Sequence, residues 1–384
     1  MREPALRGQD GLDHPNSATK DVFADWAGRE LAFWRDVYKG GRDFSAAHAA
    51  LNETQRAIFL FDIAEDRVTL RAKPAFYSDE DMAEAPVGPC RRARFYRDFL
   101  AECAGQETLP PLTIAIDVGD IAPARFEAPV FAFQKPRGTA NILLPDIDFL
   151  RTDHYAGEEP DPYAVADKRH GAVFAGASTG GQVTMKALRD LTLPRLRLAD
   201  ELVGHPDIDF RIARAVQCAN GTVQAELEAR PYFGPHIPFA EQLAYRFVIS
   251  VDGNGATCSR IVRTLRSRSV LMKGDSENLL YYFHGLQPHR HYLPFAGKAE
   301  IEAYLALDKA GNLDSEAILA AAQHFHRSYL TRKAVVAYGR TLLAAFAAWQ
   351  TGVTGGPTQR HPRAWRLFRL RRSAAPETHR NPRP

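Results

Sequence analysis

The chain has 384 residues, of which 45% are hydrophobic and 25% charged, and its formal net charge is +3. This composition is that of an ordinary soluble protein, and the length predicts two domains or one large one. The four cysteines lie far apart and form no CxxC pair. Their spacing excludes a disulfide framework and a zinc site of the usual pattern, and it indicates free thiols in a reducing compartment.

The first third of the chain predicts a mixture of helices and strands. Residues 1–20 are polar, lack the apolar core of a signal peptide and are predicted to be disordered. The run from Leu112 is almost continuously apolar, as in a strand that is covered on both faces. Apolar spacing predicts helices over Asp21–Tyr38 and Arg92–Cys103, and strands over Val68–Leu70, Leu112–Val118 and Val130–Phe133.

An acidic segment with Pro and Gly, residues 151–167, is predicted to link an N-terminal domain (21–150) to a C-terminal domain (168–327). Beyond it strands alternate with helices, which predicts a parallel sheet in an α/β layer. The predicted strands are Ala172–Ala175, Asp209–Ala215, Phe247–Val251, Val270–Met272 and His291–Phe295. The predicted helices are Gln182–Leu191, one that carries Arg260 and Arg263, Asp275–His284, Lys298–Leu307 and most of Ser315–Gln350.

The longest apolar stretch, Ala334–Trp349, is interrupted by Tyr338-Gly339-Arg340 and is short for a bilayer span. We therefore expect residues 328–350 to form a packed C-terminal helix and the protein to be cytoplasmic.

Two glycine-rich turns follow predicted strands. Asp252-Gly253-Asn254-Gly255 opens the helix that carries Arg260, and Ala175–Gly181 (AGASTGG) follows the first strand of the C-terminal domain. A glycine turn before a helix directs N–H groups and the positive helix end at one spot, which suits a phosphate. A plain tight turn is the alternative, since neither GxGxxG nor a P-loop is complete.

Four segments, in order, resemble glycosyltransferase family 90, which includes lipopolysaccharide-modifying transferases, capsule-associated proteins and protein O-glucosyltransferases. The similarity covers roughly residues 112–305. The segments are IDVGD with PVFAF, VFAGASTG, DGNGATCSR and the run from SVLMKGDSE to HYLPF.

The resemblance implies a GT-B-like α/β fold, with two Rossmann-like domains that face a cleft and a C-terminal helix that packs back on the N-terminal domain. It also implies inversion without a metal, and a sugar nucleotide, usually a UDP-sugar, as donor substrate instead of a bound cofactor. By position, Asp120 matches the catalytic carboxylate and Arg260 the diphosphate-binding arginine. The residues expected beside the nucleotide are Gly176, Ser178, Gly253, Gly255, Ala256 and Thr257.

One position departs from the family, because Ala175 stands where an arginine is common. A phosphate or sugar contact is therefore expected to be missing: either Arg189, Lys186 or Lys273 replaces it, or the donor differs.

Asp120 has two interpretations. An inverting transfer needs a carboxylate to accept the proton of the acceptor hydroxyl, and partial burial after a strand would raise its pKa usefully. The alternative is that Asp120 only caps a turn, as Asp after a strand often does. The resemblance favours the base, and Asp117, three residues earlier, is expected to be structural.

Two DxD strings, Asp146-Ile147-Asp148 and Asp207-Ile208-Asp209, raise the alternative of a metal-dependent transferase. Because neither ends a clear nucleotide-binding strand, we expect both to lie at turns. Ser276 and Glu277 are expected to open the predicted helix at 275, with Ser276 near the donor sugar or acting as an N-cap.

The positive charge is concentrated in the C-terminal tail. Residues 351–384 contain eight arginines and one acid and carry +7, so the preceding residues sum to −4. Aromatic and leucine residues interleave with arginines over 360–372, which predicts attraction to anionic lipid headgroups or to the phosphates of lipid A. A solvated disordered tail is the equal alternative.

The sequence thus predicts a glycosyltransferase that acts on lipopolysaccharide or another surface glycan at the inner membrane face, without nucleic acid. The alternative is a non-catalytic protein on the same scaffold that binds a nucleotide or glycan.

Overall fold

The computed structural model describes residues 17–39, 42–65, 67–84, 88–105, 109–120, 127–256 and 259–352. We call residues 17–151 the N-terminal part and residues 153–352 the C-terminal part. The elements of the N-terminal part are α1 (Ser17–Val37), α2 (Ser45–Thr54), β1 (Ile58–Glu65), β2 (Arg67–Ala72), α3 (Asp79–Glu84), α4 (Gly88–Ala104), β3 (Leu109–Asp117), β4 (Val130–Ala132), β5 (Lys135–Pro136), β6 (Ile142–Leu143) and α5 (Ile147–Arg151).

A five-stranded sheet in the order β2-β1-β3-β4-β6 organises the N-terminal part. β1 is antiparallel to β2 and β3, whereas β3, β4 and β6 run parallel. The predicted helices that correspond to α1 and α4 and the predicted strands that correspond to β2, β3 and β4 are confirmed. β1 was not predicted, because a short continuous apolar run does not distinguish a buried strand from a buried helix.

The C-terminal part contains strands, α-helices and three short 3₁₀ turns at Asp153–Tyr155, Val165–Asp167 and Tyr281–His284. Its strands are β7 (Arg169–Ala177), β8 (Ile208–Arg214), β9 (Tyr245–Ser250), β10 (Val270–Gly274), β11 (Asn278–Leu279) and β12 (Leu293–Phe295). Its α-helices are α6 (Met185–Asp190), α7 (Pro194–Leu202), α8 (Gly221–Glu228), α9 (Phe239–Gln242), α10 (Ser259–Leu265), α11 (Lys298–Lys309), α12 (Ser315–Tyr329) and α13 (Arg332–Gln350).

A second sheet, in the order β12-β10-β9-β7-β8, organises the C-terminal part, and every neighbouring pair in it is parallel. The predicted parallel α/β layer is therefore confirmed. β7 and β9 are neighbours, so the loops that leave their carboxyl ends lie side by side. Such an edge is where open α/β sheets bind their ligands.

The predicted helix over Asp275–His284 is wrong. The Asn278 N–H donates to Ser276 Oγ at 3.0 Å, and β11 pairs antiparallel with β5 of the N-terminal part. These hydrogen bonds hold residues 276–279 extended, so tertiary pairing overrides the helical spacing of the apolar residues there, and helical backbone is confined to the 3₁₀ turn at Tyr281–His284. Ser276 is accordingly not the N-cap of a helix.

Helix α13 packs against α1, α4 and β3, as predicted for the C-terminal helix. The Tyr338 hydroxyl donates to the carbonyl of Leu143 at 2.8 Å, and Gly339 lies so close to Phe99 that a Cβ there would be 2.5 Å from its ring. The C-terminal helix is thus part of the core of the N-terminal part.

Among the helices in the described ranges, none combines the length and the apolar character needed to cross a bilayer. Cys90, Cys103 and Cys218 are free thiols, as predicted, while Cys258 and residues 353–384 lie outside the described residues. The predicted membrane-attracted segment 360–372 is in that undescribed region.

Candidate functional site

The two predicted glycine turns meet at the carboxyl edge of the second sheet. The Gly180 N–H donates to Asn254 Oδ1 at 3.2 Å. Gly253 lies directly against Thr179, since a Cβ at Gly253 would be 2.4 Å from Thr179 Oγ1. No side chain fits at Gly253 without displacing the other loop. The loop that follows β7 and the loop that follows β9 therefore form one surface.

Arg195 of α7 hydrogen-bonds to both loops of this surface. The sequence analysis did not identify this residue. Its guanidinium donates to the carbonyls of Ala177 (2.9 Å) and Val251 (2.9 Å) and to Thr179 Oγ1 (2.7 Å). The spacing of Arg195 from Leu198, Ala199 and Leu202 was the available signal. It puts the arginine on the buried face of its helix, where a charge needs polar partners.

Ser178 and Gly176 shape the loop from inside the protein. Ser178 is buried, and its hydroxyl donates to the carbonyl of Val216 at 2.8 Å and accepts the Val216 N–H at 2.9 Å. The ring of Phe174 packs against Gly176, since a Cβ at Gly176 would lie 2.7 Å from that ring. Both predicted donor-binding residues thus fix the path of the β7 loop. The Ser178 hydroxyl bonds to the protein backbone, and the space beside Gly176 is filled by Phe174.

Arg260 is the second described residue of α10, after Ser259. Its guanidinium donates to the Ala175 carbonyl at 2.8 Å and to Gln242 Oε1, and lies 4.7 Å above the ring of Phe174. It therefore stands at the carboxyl end of β7, beside the residue where the family commonly has an arginine.

The amino end of α10 receives a carboxylate from the N-terminal part. The Ser259 N–H donates to Asp148 Oδ2 at 2.8 Å, and Asp148 also pairs with Arg151 at 2.7 Å. A carboxylate suits this position because the helix end carries partial positive charge. Thr257, predicted to lie beside the nucleotide, is outside the described residues.

The first DxD string has a structural role. Asp146 caps α5 by accepting the Asp148 N–H at 2.9 Å. Burial and the neighbouring Asp148 raise the pKa of Asp146 to about 8. In the second string, Asp209 pairs with Arg211. Within the described part of the chain, no group of three or more His, Cys, Asp or Glu side chains is positioned to hold a metal ion.

Asp120 lies next to the glycine loop through Gln134, a residue that the sequence did not single out. Gln134 is only 4% exposed, and its side-chain amide donates to the Asp120 carbonyl. The same amide lies against Gly255, because a Cβ there would be 2.1 Å from Gln134 Oε1. One side chain of the N-terminal part thus touches both the predicted base loop and the predicted nucleotide loop.

The Asp120 carboxylate itself is 47% exposed and pairs with Arg92 of α4 at 2.8 Å. Arg92 also donates to the Val118 carbonyl at 2.9 Å, so it fixes the loop as well as the carboxylate. This exposure leaves Asp120 accessible to a substrate hydroxyl.

Asp117, at the end of β3, is buried and accepts the Gly119 N–H at 2.8 Å. Burial raises the pKa of Asp117 to about 6, while that hydrogen bond opposes the shift. Its carboxylate closes the turn from within the core, in agreement with its predicted structural role.

Lys273 and Asp252 complete the edge. Lys273 is the penultimate residue of β10 and is 7% exposed. Asp252 accepts hydrogen bonds from Ser276 Oγ at 2.5 Å and Asn278 Nδ2 at 3.2 Å, so β11 braces the start of the glycine loop. Because β9 and β10 are parallel neighbours, the glycine loop after β9 and Lys273 near the end of β10 lie at the same edge of the sheet, and Ala256 of that loop is buried.

Two comparisons with known proteins bear on this site. Residues 206–359 match the family model of glycosyl transferase family 90. The chain is also 30% identical over 122 residues to protein O-glucosyltransferase 2 from Danio rerio. That alignment covers 31% of this chain and 24% of the relative, so the chain spans about a quarter of the relative it matches.

The matched family region contains the glycine loop, Arg260 and Lys273, whereas Asp120 lies outside it. From β8 to the end of α13, this chain is therefore similar to glycosyl transferase family 90, which supports a glycosyltransferase.

Proposed function

We propose that this chain is an inverting, metal-independent glycosyltransferase. It would move a sugar from a nucleotide-sugar, in the first instance a UDP-sugar, to lipopolysaccharide or another surface glycan. The observation that carries the proposal is the contact of Gln134 with both Asp120 and Gly255. This contact supports the proposal, because one side chain joins the backbone of the candidate base to the loop where the family similarity expects the nucleotide.

The proposed arrangement is GT-B-like, with residues 21–150 on the acceptor side, 151–167 as linker and 168–327 on the donor side. The parallel second sheet supports this division, because ligands of such sheets lie at the carboxyl edge of the strands. The acceptor would approach from the side of Arg92 and Asp120.

In the proposed reaction the acceptor hydroxyl oxygen attacks the anomeric carbon from the face opposite the nucleotide. The Asp120 carboxylate takes the hydroxyl proton as the new C–O bond forms. The bond between the anomeric carbon and the diphosphate oxygen breaks, and the nucleoside diphosphate leaves with the electron pair. Configuration at the anomeric carbon is inverted because this is a single displacement.

The leaving diphosphate needs cationic groups as its charge develops. Arg260 is proposed to serve it, exchanging its hydrogen bonds to Gln242 and the Ala175 carbonyl for phosphate oxygens. The two hydrogen bonds to be exchanged both go to neutral acceptors, so neither of them is an ion pair.

The proposal is tested by incubating the full chain with a panel of nucleotide-sugars and measuring release of the nucleoside diphosphate, with and without EDTA. Release from at least one donor, unchanged by EDTA, is expected. Even slow donor hydrolysis without acceptor supports an enzyme. Activity that disappears with EDTA would favour a metal-dependent transferase, and no release from any donor would contradict the proposal.

A non-catalytic nucleotide- or glycan-binding protein is the second candidate. Ala175 in place of the common arginine favours it, together with the engagement of Arg260 by protein acceptors. This candidate predicts that nucleotide-sugars raise the melting temperature without being consumed.

A further inference from the structure

Three cations are candidates to replace the arginine that is absent at position 175, and the structure separates them. Lys186 and Arg189 lie on α6 with side chains 73% and 72% exposed, and both pair with Asp190. Exposed ion pairs of this kind are ordinary surface features. Lys273 differs from both, because it is buried at the carboxyl edge of the sheet.

The Lys273 ammonium has unusually few partners for a buried charge. Its hydrogen bond goes to the Gly274 carbonyl at 3.3 Å, and it lies 4.6 Å from the ring centre of Phe283 and 5.8 Å from that of Tyr292. Among the described residues, Asp252 and Asp275 act on the ammonium electrostatically, but its hydrogen bond goes to a backbone carbonyl, although a lysine ammonium has three donors to satisfy. A buried cation in this condition is a candidate for ligand binding.

Arg137, of the N-terminal part, contacts the segment that directly follows Lys273. Its backbone N–H donates to the Glu277 carbonyl at 2.6 Å, and its Nε donates to the Ser276 carbonyl at 2.9 Å. These bonds fix the Arg137 backbone and its Nε, and the residue as a whole is exposed. The pairing of β5 with β11 holds Arg137 over the segment that follows Lys273.

The two cations are close enough to affect each other. Burial lowers the pKa of Lys273, and Arg137 adds to that shift, while Asp252 and Asp275 oppose it. Two neighbouring positive groups, one of them desolvated, are stabilised most directly by an anion with several oxygens.

We propose that Lys273 and Arg137 together bind the terminal phosphate of the nucleotide donor, one cation coming from each part of the chain. The inference rests on the proposed function for the identity of the ligand. Lys273 and Arg137 would together substitute for the missing arginine. A bound donor would then contact both the N-terminal and the C-terminal part.

Isothermal titration calorimetry on the full chain tests the proposal with UDP, uridine and inorganic pyrophosphate as probes. The variants are Lys273→Met, which keeps the buried volume, and Arg137→Gln, which changes an exposed side chain. Each is expected to weaken UDP binding by about tenfold or more, as loss of one charge-assisted contact does, without changing uridine binding. Lys186→Met and Arg189→Gln are the matched controls and should leave UDP affinity unchanged.

The outcomes separate this proposal from the proposed function. If UDP binds and only the control variants weaken it, or no variant does, the assignment of Lys273 and Arg137 is wrong while the donor site stands. If pyrophosphate binds in a manner that depends on both cations but UDP does not bind more tightly, the anion site stands and the nucleotide donor is wrong. If the wild-type chain binds neither probe, both proposals fail. Because Arg137 is exposed, its variant remains informative even if Lys273→Met folds poorly.

Discussion

Single side chains determine how closely the candidate base and the glycine loop approach. Gln134 is the clearest case, since its amide is bonded to the Asp120 carbonyl and lies against Gly255. Glycine is required at position 255 by this contact. The two loops that Gln134 connects, one with Asp120 and one with Gly255, were predictable, because a strand followed by Asp or Gly is a local sequence pattern. It did not indicate Gln134, because that role depends on residues distant in the chain.

Gly255→Ala is expected to lower both stability and activity, because its Cβ would lie 2.1 Å from Gln134 Oε1. Overpacking of this kind costs about 1–3 kcal/mol of unfolding free energy, measured by urea denaturation. Gly221→Ala is the matched control, since nothing lies within 4 Å of its Cβ position and alanine favours a helix. Adding Gln134→Ala to Gly255→Ala should restore stability; a double variant no more stable than Gly255→Ala would show that the contact is not the cause.

Asp117 makes stability depend on pH in a definite direction. Its pKa is raised to about 6 in the folded chain against 3.8 as the ordinary value. The protonated form is thus favoured by folding, and this contribution is lost as pH rises from about 4 through 6. Asp117→Asn should therefore gain up to about 3 kcal/mol over wild type at pH 8 and nothing at pH 3. Urea melts at both pH values check this, with the exposed Asp98→Asn as control; a variant that is less stable at pH 8 would contradict it.

At the scale of elements, a buried ionic cluster joins α1 to the segments that flank the site. Glu30 of α1 accepts from Lys135 Nζ at 2.6 Å and the Leu143 N–H at 2.8 Å, and lies 2.6 Å from His284 Nε2. Burial alone would raise the pKa of Glu30, but Lys135 and His284 together lower it. The cluster therefore fixes β5, whose pairing with β11 supports Arg137 and Ser276.

Glu30→Leu should destabilise the chain by about 3–5 kcal/mol, because it leaves Lys135 buried without its carboxylate. Asp25→Ala on the same helix removes an exposed pair with Arg29 and should cost less than about 1 kcal/mol. Replacing both partners, Glu30→Leu with Lys135→Met, is expected to recover much of the loss. Chemical denaturation of all three variants measures this, and equal costs for Glu30→Leu and Asp25→Ala would refute it.

The elements also show where sequence reasoning ends. Long periodic segments such as α1, α4 and α11 were predicted because one helical face is apolar along its whole length. The segment after β10 was predicted as a helix, yet residues 276–279 are extended, because the Ser276 hydroxyl and the β5 strand supply hydrogen bonds that the local sequence pattern does not contain. The position of Asp148 at the start of α10 was likewise not predictable, since 111 residues separate it from Ser259.

At the scale of the whole molecule, the charge asymmetry predicts where the chain meets its acceptor. The tail has a net charge of +7 and the rest of the chain −4. Because each arginine near an anionic surface contributes about 1 kcal/mol, we propose that the tail draws the chain to anionic membranes.

Deleting residues 351–384 should lower binding to vesicles that contain anionic lipid, without changing the melting temperature, because the deletion removes the +7 segment and leaves α13 (Arg332–Gln350) in place. Vesicle sedimentation measures the binding, and vesicles of neutral lipid are the control. Substituting the arginines of 360–372 by glutamine should reproduce the deletion. If the truncated and full-length chains sediment equally with the vesicles, the proposed role of the tail in membrane binding is wrong.

The most direct measurement of the central claim is single-turnover sugar transfer by Asp120→Asn, with UDP affinity determined on the same preparation. Loss of a general base predicts a fall in rate of about 10²- to 10⁴-fold with unchanged UDP binding and melting temperature. Asp98→Asn, an exposed aspartate on α4, should transfer sugar at the wild-type rate. An Asp120→Asn variant that turns over as fast as wild type would contradict the claim that sugar transfer takes place where Asp120 meets the glycine loop.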